Sequence, residues 1–222
     1  MGDVIGEFLP YAIGVAVSPV PIAAVMLMLV TKKAKTNAPL FLVGWLLGLS
    51  VVGVVVLLIP GLEASQGEPS TTTGVIKGIL GLLLVFLGVK AWKGRPGEGE
   101  VAEAPAWMDK IDGFGGGTSL GMGFLLSAVN PKNLLLAVGG AATIAASTLT
   151  TSEQYIALAV FVLVASSTIL IPVVLYLFLG EKAEQTMTRT RDWLIQNNQT
   201  MMSVLLLVIS AAMIGDAIKI LF

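Results

Sequence analysis

The 222-residue chain has no cysteine and no histidine, and only 12% of its residues are charged. Without cysteine it forms no disulfide and offers no thiolate to a metal. With histidine also missing, imidazole ligation and the Ser/His/Asp and Cys/His nucleophilic arrangements are excluded. No glycine-rich nucleotide-binding loop is present, and the isolated acids Asp3, Glu7 and Asp216 form no recognisable catalytic pair. The expectation is a non-enzyme without cofactor or metal. A formal net charge of -1 and the lack of a long basic run leave no electrostatic footprint for nucleic acid.

What the chain has in excess is apolar surface: 55% hydrophobic residues and a mean hydropathy of +0.90, where a soluble domain carries roughly 25% charged residues. A helix needs about 20 mostly apolar residues to cross a bilayer core. Six segments qualify, at Phe8–Val30, Leu40–Ile59, Val75–Trp92, Ser119–Ala146, Tyr155–Leu179 and Met201–Phe222. The expected fold is an all-α integral membrane protein of six transmembrane helices. The start, with Asp3 and Glu7, lacks the basic n-region of a secretory signal, so the first segment is expected to remain as a membrane helix.

Lysine and arginine set the orientation, because cytoplasmic loops carry the excess. Ten of the 13 lie in the first, third and fifth loops: Lys32, Lys33, Lys35; Lys90, Lys93, Arg95, Lys110; Lys182, Arg189, Arg191. On the other side are Lys77 and Lys219, near helix ends from which long side chains can snorkel, and Lys132 sits inside a span. Both termini and the Gly61–Thr73 connection are thus expected outside the cytoplasm, in a bacterial-type inner membrane. The Gly94–Gly117 linker opens with a flexible Gly/Pro/Glu/Ala stretch. It then places Trp107, Ile111 and Phe114 on one helical face, which predicts a short helix resting on the membrane surface.

Ser18-Pro19 falls about halfway through the first span and Asn130-Pro131 about halfway through the fourth. Ser and Asn are favoured N-cap residues and proline is favoured at the first helical position, so both dipeptides read as helix starts placed inside a membrane. Proline also removes an intrahelical bond and clashes with the preceding turn, and Pro21 reinforces the first break. Each dipeptide heads a similar apolar stretch followed by two further spans. The chain therefore divides into a first three-helix repeat (1–93), a linker (94–117) and a second three-helix repeat (118–222). Three crossings in each half give the halves opposite orientations, the inverted-repeat plan of many secondary transporters.

Two half-helix starts at the midplane present the positive ends of their dipoles. Lys132 adds a full charge where insertion costs on the order of 2.5–3.5 kcal/mol. Ser18, Pro19, Pro21, Asn130, Pro131, Lys132 and Asn133 are the candidate site for an anionic substrate, with Asp216 as counter-charge to Lys132. The alternative is that Lys132 merely pairs with that acid. Gly44 and Gly48, Gly74, Gly78 and Gly81, Gly139 and Gly140, and Ser210, Ala211 and Gly215 are spaced for close helix packing, which also allows a homodimer. Ser166, Ser167 and Thr168, ahead of Pro172, either line a cavity or bond backbone carbonyls.

The Ser18–Pro21 and Asn130–Leu136 segments, the Gly44–Gly48 run and the Ala106–Asp112 stretch resemble those of the Sap/GAP family. These are sulfolipid and glycopeptidolipid addressing proteins of mycobacteria and related actinobacteria, placed in the lysine exporter superfamily. The resemblance implies a six-helix exporter that moves a cell-envelope glycolipid, alone or with larger lipid-export machinery. The wider superfamily implies a small solute such as an amino acid instead. A non-transporting scaffold for a lipid-export complex is the reading from another class.

Overall fold

The computed structural model describes residues 1–60, 62, 70–97, 99–179 and 184–222, with backbone alone at 179 and 184–187. Most of the Gly61–Thr73 connection, Glu98 and Lys182 lie outside the described residues. Among the described residues there are eight α-helices and no strand: α1 (Gly2–Ala16), α2 (Pro19–Leu29), α3 (Ala34–Leu57), α4 (Thr71–Lys93), α5 (Gly116–Phe124), α6 (Pro131–Ala145), α7 (Thr151–Leu179) and α8 (Glu184–Leu221). Four of them, α3, α4, α7 and α8, are long and apolar enough to cross a membrane unaided. The pair α1–α2 is bent by 54°, and α5 with its extension to Val129 is bent by 62° against α6. Counting each bent pair as one span gives six. The chain is an all-α membrane protein.

Proline has opposite effects at different places. Pro10, Pro39 and Pro172 lie inside helices that continue past them. Pro19 and Pro131 end one helix and begin another, because each follows a residue suited to capping and stands at the first position of the new helix. Ahead of Pro131 the helix widens into a π turn over Leu125–Val129, where the Asn130 N–H reaches back five residues to the Leu125 carbonyl at 3.1 Å. Such single π turns gather at functional sites.

Lipid offers helices no hydrophobic reason to associate, so close backbone approach has to come from small residues. Gly44 faces the Leu120 carbonyl and Gly123 the Phe41 carbonyl so closely that α3 and α5 touch backbone to backbone. Along α4, Gly74, Gly81 and Gly88 receive Leu221, Ile214 and Leu207 of α8, and Gly78 faces Ala217. A methyl added at Gly215 would meet nothing within 4 Å, so within the chain the close packing expected there is not found. Some of the pairing is reciprocal: α3 packs on α5 as α7 packs on α1, α2 packs on α8 as α6 packs on α4, and α4 meets α8 directly, whereas the contact of α1 with α6 has no matching one between α5 and α2. On α3 the exposed residues Val43, Leu47, Val51 and Val55 recur every four positions opposite buried Phe41, Trp45 and Leu49. Both faces are apolar, one toward lipid and one toward protein.

Two expected elements differ. The helix that carries the sixth span begins not at Met201 but at Glu184 and is 38 residues long. At 1.5 Å per residue that is about 57 Å, nearly twice a bilayer core. Hydropathy marks only its apolar part, while the polar stretch before it contains neither glycine nor proline and simply continues the helix. The linker helix is a 3₁₀ helix at Met108–Gly113. Its three-residue turn puts Met108 and Ile111 on one side, and both are buried in the core. It is docked on the protein, with Phe114 held through its carbonyl by Asn37 Nδ2 at 3.1 Å and Lys33 Nζ at 3.3 Å.

Candidate functional site

The two breaks meet. Lys132, immediately after the second, extends its ammonium to the first, where it donates to the carbonyls of Gly14 and Val17, both at 2.8 Å, and to Ser18 Oγ at 2.7 Å. Its three protons are thereby used. The carbonyls belong to the C-terminal end of α1, the negative pole of that half-helix, so the costly cation is compensated by backbone. Ser18 in turn lies 2.6 Å from the Val15 carbonyl and 3.0 Å from Asn133 Oδ1, whose amide Nδ2 donates to the Leu126 carbonyl at 2.8 Å. Thr168 of α7 donates to the Ala16 carbonyl at 2.6 Å, which resolves the mid-span polar patch of α7 in favour of backbone bonding at that residue.

Few backbone donors are left at the helix starts. In α2 the Ser18 N–H bonds the Ala16 carbonyl, Pro19 and Pro21 have no N–H, and the Ile22 N–H closes on the Ser18 carbonyl. In α6 the Asn130 side chain accepts from the Lys132 N–H at 3.1 Å, and the Leu134 N–H closes on the Asn130 carbonyl. Only Val20 and Asn133 are left with a first-turn N–H outside these bonds. The dipole ends still converge, but most of the donors that a broken helix exposes are already absorbed by proline or by the cap.

Asp216 does not join this cluster. Its carboxylate accepts from Lys77 Nζ at 3.0 Å across the α4–α8 interface. Lys77 is buried, with a side chain only 7% exposed, and does not snorkel; Asp216 is the more open partner at 41%. The expected counter-charge for Lys132 is thus committed elsewhere, and α1's carbonyls fill that role.

Ser18, Pro19, Pro21, Asn130, Pro131 and Lys132 all line a single cavity of about 620 Å³. Asn133 stands behind it, buried in the network. The remaining walls are the end of α4, with Lys90, Lys93 and Gly94, and the middle of α8, with Asn198, Gln199, Met202 and Leu206. In the sequence, Lys90 and Lys93 speak only to orientation, and Asn198-Gln199-Thr200 reads as a glycosylation sequon on the wrong side of the membrane. Neither shows its place from position alone, because the long approach of α8 is invisible to hydropathy. The cavity has lysines at two depths: Lys132 at the breaks, tied into the network, and Lys90 and Lys93 exposed at the rim. A ligand placed there meets positive charge from the mouth inward. Among the described residues no cluster of acids suits a metal ion.

The chain matches the family described as Sap, sulfolipid-1-addressing protein, over residues 8–219. It belongs to that family. No curated protein and no solved structure matches it. The match spans both bent helix pairs and all four long helices, so the Sap family description covers the whole arrangement around the cavity.

Proposed function

We propose that this Sap-family chain is a membrane transporter that moves an anionic cell-envelope lipid or glycolipid across a bacterial inner membrane, with both termini on the outer side. The observation that carries this reading is the cavity at the meeting of the two breaks, with Lys132 buried at the breaks and Lys90 and Lys93 exposed on its wall. Interrupted backbone at membrane depth is tolerated where it is buried in protein or lines a polar cavity, and here it does both. A sulfate, phosphate or carboxylate suits the charge. The family description, which names a sulfolipid, supports a lipid rather than a free amino acid. For an anion to reach Lys132 the ammonium must exchange its α1 carbonyls for the ligand. Binding is thereby linked to the break at Val17–Ser18.

A scaffold needs a surface for its partner, and the side of the Trp107–Phe114 segment that carries Met108 and Ile111 is buried against α2 and its neighbours, so that side does not serve one.

The test is reconstitution of the purified chain in liposomes containing short-chain fluorescent lipids, followed by reduction of the outward-facing label with dithionite. A fluorescent phosphatidylglycerol is expected to cross faster in the presence of the protein, and Lys90→Gln with Lys93→Gln to slow it at least several-fold. Equal rates with and without protein for anionic lipids, alongside uptake of a soluble amino acid, would replace the lipid reading with a solute exporter.

A further inference from the structure

A second cavity, of about 710 Å³, runs between α1 and α8. Leu9 and Ile13 of α1 face Val204 and Val208 of α8 across it, all exposed at the protein surface. Its polar members, Asn197 and Thr200, are on α8 toward the Trp193 end. The α4 side of α8 is closed by glycines, whereas α1 touches α8 sparingly and the seam stays open.

This groove adjoins the polar cavity at the first helix break. Val17 lines the groove and Ser18 lines the cavity; Met201 and Leu205 face one, Met202 and Leu206 the other. Gly14 is part of the partition. Its carbonyl accepts from the Lys132 ammonium at 2.8 Å, while its Cα, lacking a side chain, lets Leu205 and Ile209 of α8 lie directly against α1.

We propose that the α1–α8 groove is an acyl-chain subsite, and that the seam between these helices is the lateral portal through which the lipid arrives. The inference rests on the proposed lipid function. A molecule with an anionic head and an apolar chain fits the pair of cavities in one orientation: head among the lysines at the α4 end, chain passing Val17 and lying along α1 toward its beginning. A partner helix matches less well, because at the first break the groove gives way to the lysine-bearing cavity, where a helix would present a continuous apolar face. The Gly14 partition then gives the chain a mechanical link to Lys132, since a tail pressing on Leu205 and Ile209 bears on the same residue that holds the ammonium.

The experiment places the full chain in phosphatidylcholine nanodiscs with a trace of either phosphatidylglycerol or phosphatidylcholine carrying a diazirine near the chain end. After irradiation, labelled peptides are mapped by mass spectrometry. The phosphatidylglycerol probe should label the 9–17 and 201–209 stretches at least threefold more than the phosphatidylcholine probe. Ile13→Trp and Val204→Trp, each at a surface-exposed position, should lower that labelling severalfold, whereas Val51→Trp on the lipid face of α3 should not. The same groove variants should impair transport of long-chain lipid and spare a short-chain one. Equal labelling by both probes, unaffected by the tryptophans, would mean bulk lipid only and would overturn the subsite. That result leaves head-group transport standing, whereas failure of the wild-type protein to move any lipid in liposomes would remove the reading on which the subsite rests.

Discussion

At the scale of single residues the network around Lys132 makes a definite prediction. Hydrogen bonds between membrane helices average about 0.6 kcal/mol and reach about 1.7, so losing three should cost about 2 kcal/mol, with two α1 carbonyls left exposed. Lys132→Met is therefore expected to destabilise the protein clearly more than Thr168→Val, which removes one bond to the Ala16 carbonyl and should cost about 0.6 kcal/mol. Thermal unfolding in detergent, followed by tryptophan fluorescence, measures both; equal midpoints would show that the ammonium is not a structural tie. The Lys77–Asp216 pair makes a second prediction. Removing one partner of a buried pair costs about 3–5 kcal/mol, and Asp216's partial exposure puts this case at or below the lower end. Asp216→Leu strands the more buried charge and should be worse than Lys77→Met, with the double substitution recovering much of the loss. Sequence alone showed that Lys132 and the two Xaa-Pro breaks share a depth, because proline and N-cap chemistry are local. It paired Asp216 with the wrong lysine because depth along a helix carries no information about which side of the helix a residue faces.

At the scale of elements, glycine separates contact from spacing. Gly44 and Gly123 lie where α3 and α5 meet through backbone, which cannot yield as a flexible side chain can. An added methyl at either is overpacking, worth about 1–3 kcal/mol. Gly121 sits on the same α5, but a methyl added there would meet nothing within 4 Å. At that position alanine should be neutral or stabilising by up to about 1 kcal/mol, since glycine weakens a helix interior by about that much. Gly44→Ala and Gly123→Ala should thus lower the unfolding midpoint while Gly121→Ala holds or raises it; a uniform response of the three would contradict the α3–α5 contact. Spans α3, α4 and α7 were legible from apolar run length, and the breaks at Pro19 and Pro131 from proline and N-cap chemistry. The lower half of α8 was not, because a polar helix outside the bilayer leaves no hydropathy signal. The 3₁₀ turn misleads through its period: Trp107, Ile111 and Phe114 satisfy a 3.6-residue repeat, but the burial of Met108 and Ile111 follows a repeat of three.

At the scale of the whole molecule, the reciprocal pairing of α3 with α5 and of α7 with α1 is the exchange that a twofold relation between the halves would generate. Each half contains a bent pair and two long helices, an odd number of crossings if each bent pair spans the membrane, so the halves would stand upside down to one another. That arrangement places the starts of α1 and α4 on one side and the linker on the other. The cavity containing Lys90 and Lys93 would then open toward the linker side, which the excess of lysine and arginine assigns to the cytoplasm. Because the chain has no cysteine, a single introduced thiol reports its own side without background. Thr72, exposed at the start of α4, and Val101, 85% exposed in the linker, are suited to this. A membrane-impermeant maleimide added to intact cells is expected to label Thr72→Cys fully and Val101→Cys only after permeabilisation. Labelling of both in intact cells would mean that α4 does not cross the membrane, which removes the inverted relation, whereas the reverse pattern would invert the molecule and make its lysine-rimmed cavity face outward.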